Sequence, residues 1–239
     1  MIGSRPGMGK TSLMLDMALH ASFTENIPVF IFSLAESSQM LAMRILSRYG
    51  DYTFDEIEHD ESACKLTAEK FIAEDEDVPL YLFDRAFTLQ DIENTIYRSE
   101  RMPGIIFIDY LQLLDLRTGA YSISNNLNYT HPDLETQEDL CFFLKRLAEK
   151  ANIPIVVLSQ VARKVEERTD KRPGMGDNCY SKEIENAADA VVFLYLEAYY
   201  DSTYASQKHV LAELIVAKNQ HGETGTATVV FDRHILTFM

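Results

Sequence analysis

The chain has 239 residues, of which 46% are hydrophobic, a length and content that suit one large α/β domain spanning residues 1–239 rather than two. No apolar run approaches the roughly 18–20 residues of a membrane span, and no basic-then-apolar signal segment opens the chain. Cys64, Cys141 and Cys179 are too few and too scattered for a disulfide framework or a zinc site and fit a reducing cytoplasm, while a net charge of −15 opposes a nucleic-acid polyanion unless a local basic patch overrides it.

The first element in chain order is the run Gly3-Ser4-Arg5-Pro6-Gly7-Met8-Gly9-Lys10-Thr11-Ser12, which reads as a phosphate-binding loop. Glycines let successive backbone N–H groups converge on phosphate oxygens where a Cβ would block the approach. Lys10 supplies a point charge to the β/γ-phosphates and the Thr11 hydroxyl is a Mg²⁺ ligand. The nucleotide-binding set is therefore Gly7, Gly9, Lys10, Thr11 and Ser12, with Ser4 standing as a small substitute for the usual first glycine. Thr11 to His20 reads as a helix with Leu13, Met14, Met17 and Ala18 on one apolar stripe and its N-terminus facing the phosphates. Only Met1 and Ile2 precede the loop, so the first strand is expected to be largely missing, which would open two sheet edges and imply a start further upstream.

Further along, Pro28–Ser33 is a short apolar run rich in β-formers, as in a buried parallel strand, and Ser38–Tyr49 is helical with Met40, Leu41, Met43, Ile45 and Leu46 inward. Residues 54–77 are strongly acidic and read as solvated helices, followed by a strand at Pro79–Phe83. Thr88 caps a helix through Arg98, with Asp91 as its capping-box partner. Gly104–Asp109 is a third strand ending in an acid, Leu116–Glu135 a loop, and Glu138–Asn152 an amphipathic helix. Ile153–Gln160 is a fourth strand, Lys164–Lys182 a polar loop, and Ala190–Leu196 and Ala212–Lys218 two more strands. Thr226–Phe231 and His234–Phe238 are expected to form a closing hairpin. Strand and helix alternate throughout, which gives a mostly parallel, doubly wound sheet flanked by helices.

Asp109 ends an apolar strand at the sheet edge where ligands sit in open α/β folds, and downstream of a phosphate loop it is the natural partner for Mg²⁺. Gln160 closes the next strand at the same edge, either as a sensor of the γ-phosphate or as a plain strand-end amide.

Taken together, Arg5-Pro6-Gly7-Met8-Gly9-Lys10-Thr11, Phe32-Ser33-Leu34, Ile108-Asp109-Tyr110-Leu111-Gln112-Leu113 and Leu158-Ser159-Gln160 resemble the RecA-like motor domain of DnaB-type replicative helicases. So do Arg168-Thr169-Asp170-Lys171-Arg172-Pro173, Ile184-Glu185-Asn186-Ala187-Ala188-Asp189 and the run from Ala217 to Gly225, in the family's order and over nearly the whole chain. The resemblance implies a RecA-like phosphate-loop ATPase that binds ATP and Mg²⁺ between subunits of a homo-oligomeric ring, usually a hexamer, with single-stranded DNA in its channel. The family's N-terminal domain and linker helix are not in this sequence, so the ring is expected to be weak. A recombinase or clock-type relative would share the fold but not Asp109-Tyr110-Leu111-Gln112.

Three departures bear on activity. Where the family places the glutamate that activates water this chain has Ala35, with Glu36 one residue later as a candidate base. Successive strand side chains point to opposite faces, so Glu36 replaces it only if the chain bends. The family's trans-acting arginine is here Gln220, leaving Lys218 as the candidate trans cation. In the loop that the family turns toward DNA an arginine has become Cys179, leaving Arg163, Lys164, Arg168, Lys171, Arg172 and Lys182 as nucleic-acid candidates or as a solvated loop. Losing a general base costs roughly 10²–10⁴ in rate and losing an arginine finger about 10³–10⁵. Two functions therefore compete: an ATP-driven DNA helicase motor, and a nucleotide-binding, non-hydrolysing paralogue acting as an assembly or regulatory subunit.

Overall fold

The computed structural model describes residues 1–50, 52–74, 77–85, 88–114, 137–178, 182–204 and 206–239. In chain order the strands are β1 (Ile2–Ser4), β2 (Val29–Ser33), β3 (Leu80–Phe83), β4 (Ile105–Asp109), β5 (Ile155–Gln160), β6 (Ala190–Tyr195), β7 (His209–Asn219), β8 (Gly225–Asp232) and β9 (Thr237–Phe238). The helices are α1 (Lys10–Leu19), α2 (Ser38–Tyr49), α3 (Phe54–His59), α4 (Glu61–Glu74), α5 (Leu89–Arg98), α6 (Gln137–Ala151) and α7 (Lys182–Ala187). Among the described residues the strands form one sheet in the order β3-β2-β4-β5-β1-β6-β7-β8-β9. The pairs from β3 through to β6 are parallel, and β7, β8 and β9 add antiparallel.

The central parallel strands are buried on both faces, which is why they read as unbroken apolar runs. Phe30, Phe32, Ile106 and Ile108 face one core with Leu89, Ile92 and Ile96 of α5 and Leu140, Leu144 and Leu147 of α6. Val29, Ile31 and Phe107 face the other, with Leu13, Met14, Leu15 and Ala18 of α1 and Leu41 and Ile45 of α2. Met17, expected on the inward stripe, is instead 38% exposed. On α2 only Leu41 and Ile45 of the expected apolar set are fully buried. The Thr88–Asp91 capping box forms as the sequence predicts, and α3 carries a second one between Thr53 and Glu56.

Several expectations need correction. The first strand is short but present: Gly3 and Ser4 of the phosphate loop are themselves extended, so β1 pairs Ile2 with Leu158 on one side and Val192 on the other, and the sheet is continuous. The polar stretch after β5 is not featureless, since Arg163–Glu167 winds into a 3₁₀ turn and α7 follows. The strand foreseen at Ala212–Lys218 is longer and runs antiparallel to β6. The closing hairpin exists, but its second strand is only Thr237–Phe238, paired at Phe231–Phe238 and Asp232–Thr237. The loop expected at Leu116–Glu135 lies outside the described residues.

Candidate nucleotide site

β1 hands the chain into the phosphate loop at the sheet edge, and two glycines make the turn. Gly7 and Gly9 have φ of 78° and 88°, a region costly for any residue with a Cβ. Space is as tight as the backbone: a Cβ at Gly7 would lie 3.2 Å from the Tyr199 ring, and one at Gly9 would lie 3.2 Å from the Phe238 ring. Gly9 is the N-cap of α1 and offers no side-chain cap, so the helix's first N–H groups are left for an anion.

The Lys10 ammonium is buried and folds back over the loop, 3.3 Å from the Ser4 carbonyl, 3.2 Å from Ser4 Oγ and 3.4 Å from the Arg5 carbonyl. The Ser4 hydroxyl, at the position where the sequence pattern expects glycine, joins this set. Thr11 Oγ1 donates to Asp109 Oδ2 at 2.7 Å, across from α1 to the end of β4. Asp109 is only 2% exposed. Burial pushes its carboxyl above the usual carboxylate range, the Thr11 hydrogen bond and the Lys10 charge oppose that, and the Glu36 charge adds to it. A buried carboxylate short of positive charge beside a hydroxyl is an all-oxygen donor pair, which suits Mg²⁺. The Asp109–Tyr110 peptide is cis.

Gln160 ends β5 in register with Ser4, so it reaches the same edge. Its neighbour Ser159 accepts from Gln112 Nε2 at 2.8 Å and donates to Asn178 Oδ1 at 2.9 Å. That chain of hydrogen bonds joins the turn after Asp109 to Asn178, a link that no local sequence signal announces.

Glu36 stands near this centre through a turn. Ser33 pairs with Asp109, and Ser33 Oγ then donates to the Glu36 carbonyl at 2.6 Å and accepts from Glu36 N at 3.3 Å. The bend, not strand alternation, decides where Glu36 goes. Ala35 is exposed. Arg44 of α2 grips the Glu36 carboxylate with Nε at 2.8 Å and Nη2 at 3.0 Å, a pairing that sequence reasoning missed because the two lie in different elements.

Most of the remaining described candidates have partners of their own. Lys218 Nζ donates to the carbonyls of Glu185 and Asn186 at 3.0 and 2.8 Å, closing the C-terminal end of α7 within its own chain. Gln220 is exposed, and its backbone N–H donates to Asp189. Arg168 pairs with Asp177 at 2.6 Å, Arg172 with Glu213 at 2.6 Å and Arg163 with Glu166 at 3.6 Å. Lys171 sits over the Tyr200 ring at 5.4 Å, and Lys164 is exposed. Cys179 and the Lys182 side chain lie outside the described residues.

A profile described as the DnaB-like helicase C terminal domain matches residues 1–239. The replicative DNA helicase DnaB of Geobacillus stearothermophilus is 32% identical over 247 residues, covering 100% of this chain and 51% of that protein. The replicative DNA helicase DnaC of Bacillus subtilis is 30% identical over 245 residues, covering 100% and 51%. The chain thus spans about half the length of the curated relatives it matches. A solved DnaB-like replicative helicase, described with its interactions with primase, superposes with a TM-score of 0.83 at 27% identity, covering 100% of this chain and 56% of that one. A KaiC-like protein of Pyrococcus horikoshii superposes with a TM-score of 0.59 at 13% identity, which speaks to the shared RecA-like fold alone.

Proposed function

The chain belongs to the DnaB-like helicase C-terminal domain family, and from that premise we propose that it is the ATP-driven motor domain of a replicative DNA helicase. The observation that carries the reading is the convergence of Lys10, Thr11 and Asp109 on one sheet edge, with Thr11 Oγ1 2.7 Å from Asp109 Oδ2. The N-terminus of α1, the Lys10 ammonium and the backbone around Gly7 and Gly9 bind the phosphates. Thr11 and Asp109 hold Mg²⁺, which screens phosphate charge when bound. Gln160 faces the γ-phosphate end, Glu36 accepts the proton of the attacking water, and Lys218 and residue 220 meet the nucleotide of a neighbouring subunit in a homo-oligomeric, hexameric ring. Arg163, Lys164, Arg168, Lys171, Arg172 and Lys182 face single-stranded DNA, and the setting is the cytoplasm.

Specific observations favour a second reading, a nucleotide-binding subunit that hydrolyses poorly. Ala35 is exposed and uncharged, Gln220 brings no charge, and Lys218 is spent on its own α7. Steady-state ATPase with and without single-stranded DNA decides between the two. DNA-stimulated turnover supports the motor, and tight Mg²⁺-ATP binding with no turnover supports the regulatory subunit.

A further inference from the structure

The glutamate that follows β2 is held by more than its own turn. Leu34 N still donates to the Asp109 carbonyl at 2.6 Å, so the strand stays registered on the metal-site acid until the Ser33 hydroxyl bends the chain. The Glu36 carboxylate then meets the Arg44 guanidinium edge-on, the two side chains being 25% and 19% exposed. Arg44 is fixed in turn, with its guanidinium 5.0 Å from the centre of the Phe54 ring. One helical turn on, Arg48 ties α2 to α1, donating to Asp16 Oδ1 at 3.0 Å and to the carbonyl of Ser12 at 3.3 Å, directly after Thr11. The frame that carries Arg44 is thereby tied to the helix that carries the phosphate loop.

Resting on the nucleotide-site reading above, we propose that Arg44 is the positioning residue of the ATPase centre, aiming Glu36 at the attacking water despite its place one residue later than Ala35. A two-pronged fork fixes the plane of a carboxylate, which a single contact does not. It takes two of the roughly four lone-pair directions of the two oxygens and leaves the others open to a proton. In the step served, the water oxygen bonds to the γ-phosphorus while the bond from that phosphorus to the β–γ bridging oxygen breaks. The bonding pair leaves with ADP, and the water proton passes to Glu36. A purely structural ion pair at this exposure would contribute little to stability and nothing specific to turnover.

The test uses the full chain, with Mg²⁺-ATP affinity read by fluorescent-nucleotide titration and turnover by steady-state assay. Glu36→Gln should lower kcat by about 10²–10⁴. Arg44→Ala should lower it by roughly 10–10², the scale of a small misplacement of a reacting group, with KM and affinity within about twofold of wild type. Arg44→Lys, which keeps the charge but not the fork, should fall between. The combination of Arg44→Ala with Glu36→Gln should be no slower than Glu36→Gln alone, since Arg44 acts only through that carboxylate. Losses that multiply in the double variant, an Arg44→Ala variant with wild-type kcat, or a wild-type chain that binds Mg²⁺-ATP without any turnover that Glu36→Gln can lower would each overturn the inference. A wild-type chain that fails to bind Mg²⁺-ATP would take down the nucleotide-site reading and this inference with it.

Discussion

Replacing Asp109 by asparagine probes the metal assignment from two opposite sides. Asparagine keeps the shape, and its carbonyl can still accept the Thr11 hydroxyl, so the change removes a charge and little else. Because burial raises the Asp109 pKa from 3.8, the native state binds that proton more tightly than the unfolded chain does. The native fold therefore loses stability as pH climbs from the unfolded pKa to the folded one, and the loss stays constant above that. Without ligand, Asp109→Asn should be at least as stable as wild type at neutral pH, the two converging in acid below both pKa values. With Mg²⁺-ATP the order should reverse. A ligand at 100 times its Kd stabilises by about 2.7 kcal/mol, or about 5–11 °C in Tm for a domain of this size. Wild type should show that shift and Asp109→Asn should lose most of it. Differential scanning calorimetry over pH, with and without Mg²⁺-ATP, reads both halves. A variant that keeps the full Mg²⁺-dependent shift, or one several degrees less stable without ligand at neutral pH, would refute the reasoning.

Lys10→Ala should weaken ATP binding by about a hundredfold or more in a nucleotide titration while leaving the circular dichroism spectrum unchanged, because Lys10 Nζ donates to oxygens of its own loop, on Ser4 and Arg5. Phe238→Ala removes a ring 4.5 Å from Phe231 that also backs Gly9, so it should cost about 2–3 kcal/mol in urea unfolding and loosen ATP several-fold. Unchanged affinity at lower stability would remove Phe238 from the site. Gln220→Arg should raise DNA-stimulated turnover at ring-forming concentrations by at least about tenfold, and by at most the roughly 10³–10⁵ an arginine finger supplies. No change in that assay would show that residue 220 does not reach a neighbour's nucleotide.

What was legible in the sequence follows a physical rule. The parallel strands showed as apolar runs because both of their faces are buried, and Lys10, Thr11 and Asp109 showed because their placement follows from short spacings along the chain or from a strand end. The direction of Glu36 did not show, because it hangs on one hydroxyl: without the Ser33 turn, alternation alone would set the face. Nor did the grip of Arg44 on Glu36, or the Asp16 carboxylate that gathers Arg48, Thr237 and Phe238 and ties the end of the chain to α1. Each joins elements whose juxtaposition only the fold decides. The extent of β1 is similarly hidden, because Gly3 and Ser4 belong to the loop motif in sequence and complete the strand in the fold.

The proposed site residues also differ in how the fold holds them. Of the proposed phosphate and metal groups, Lys10 and Asp109 are buried, Lys10 donating to oxygens of Ser4 and Arg5 and Asp109 accepting from Thr11. Ala35 and Gln220, where the resemblance expects a glutamate and an arginine, are exposed in a bend after β2 and in a turn after β7, where the fold tolerates substitution at little cost. The basic stretch between β5 and α7 follows that pattern, with Arg163, Arg168 and Arg172 each facing a carboxylate of its own chain. On a background of −15, such pairs leave little field to draw in a polyanion. Contact with single-stranded DNA would have to displace those carboxylates, which makes it weak per subunit. A ring that repeats the same shallow contact around a channel makes up through effective concentration what one subunit lacks. Assembly is therefore the step on which any motor function of this chain depends most.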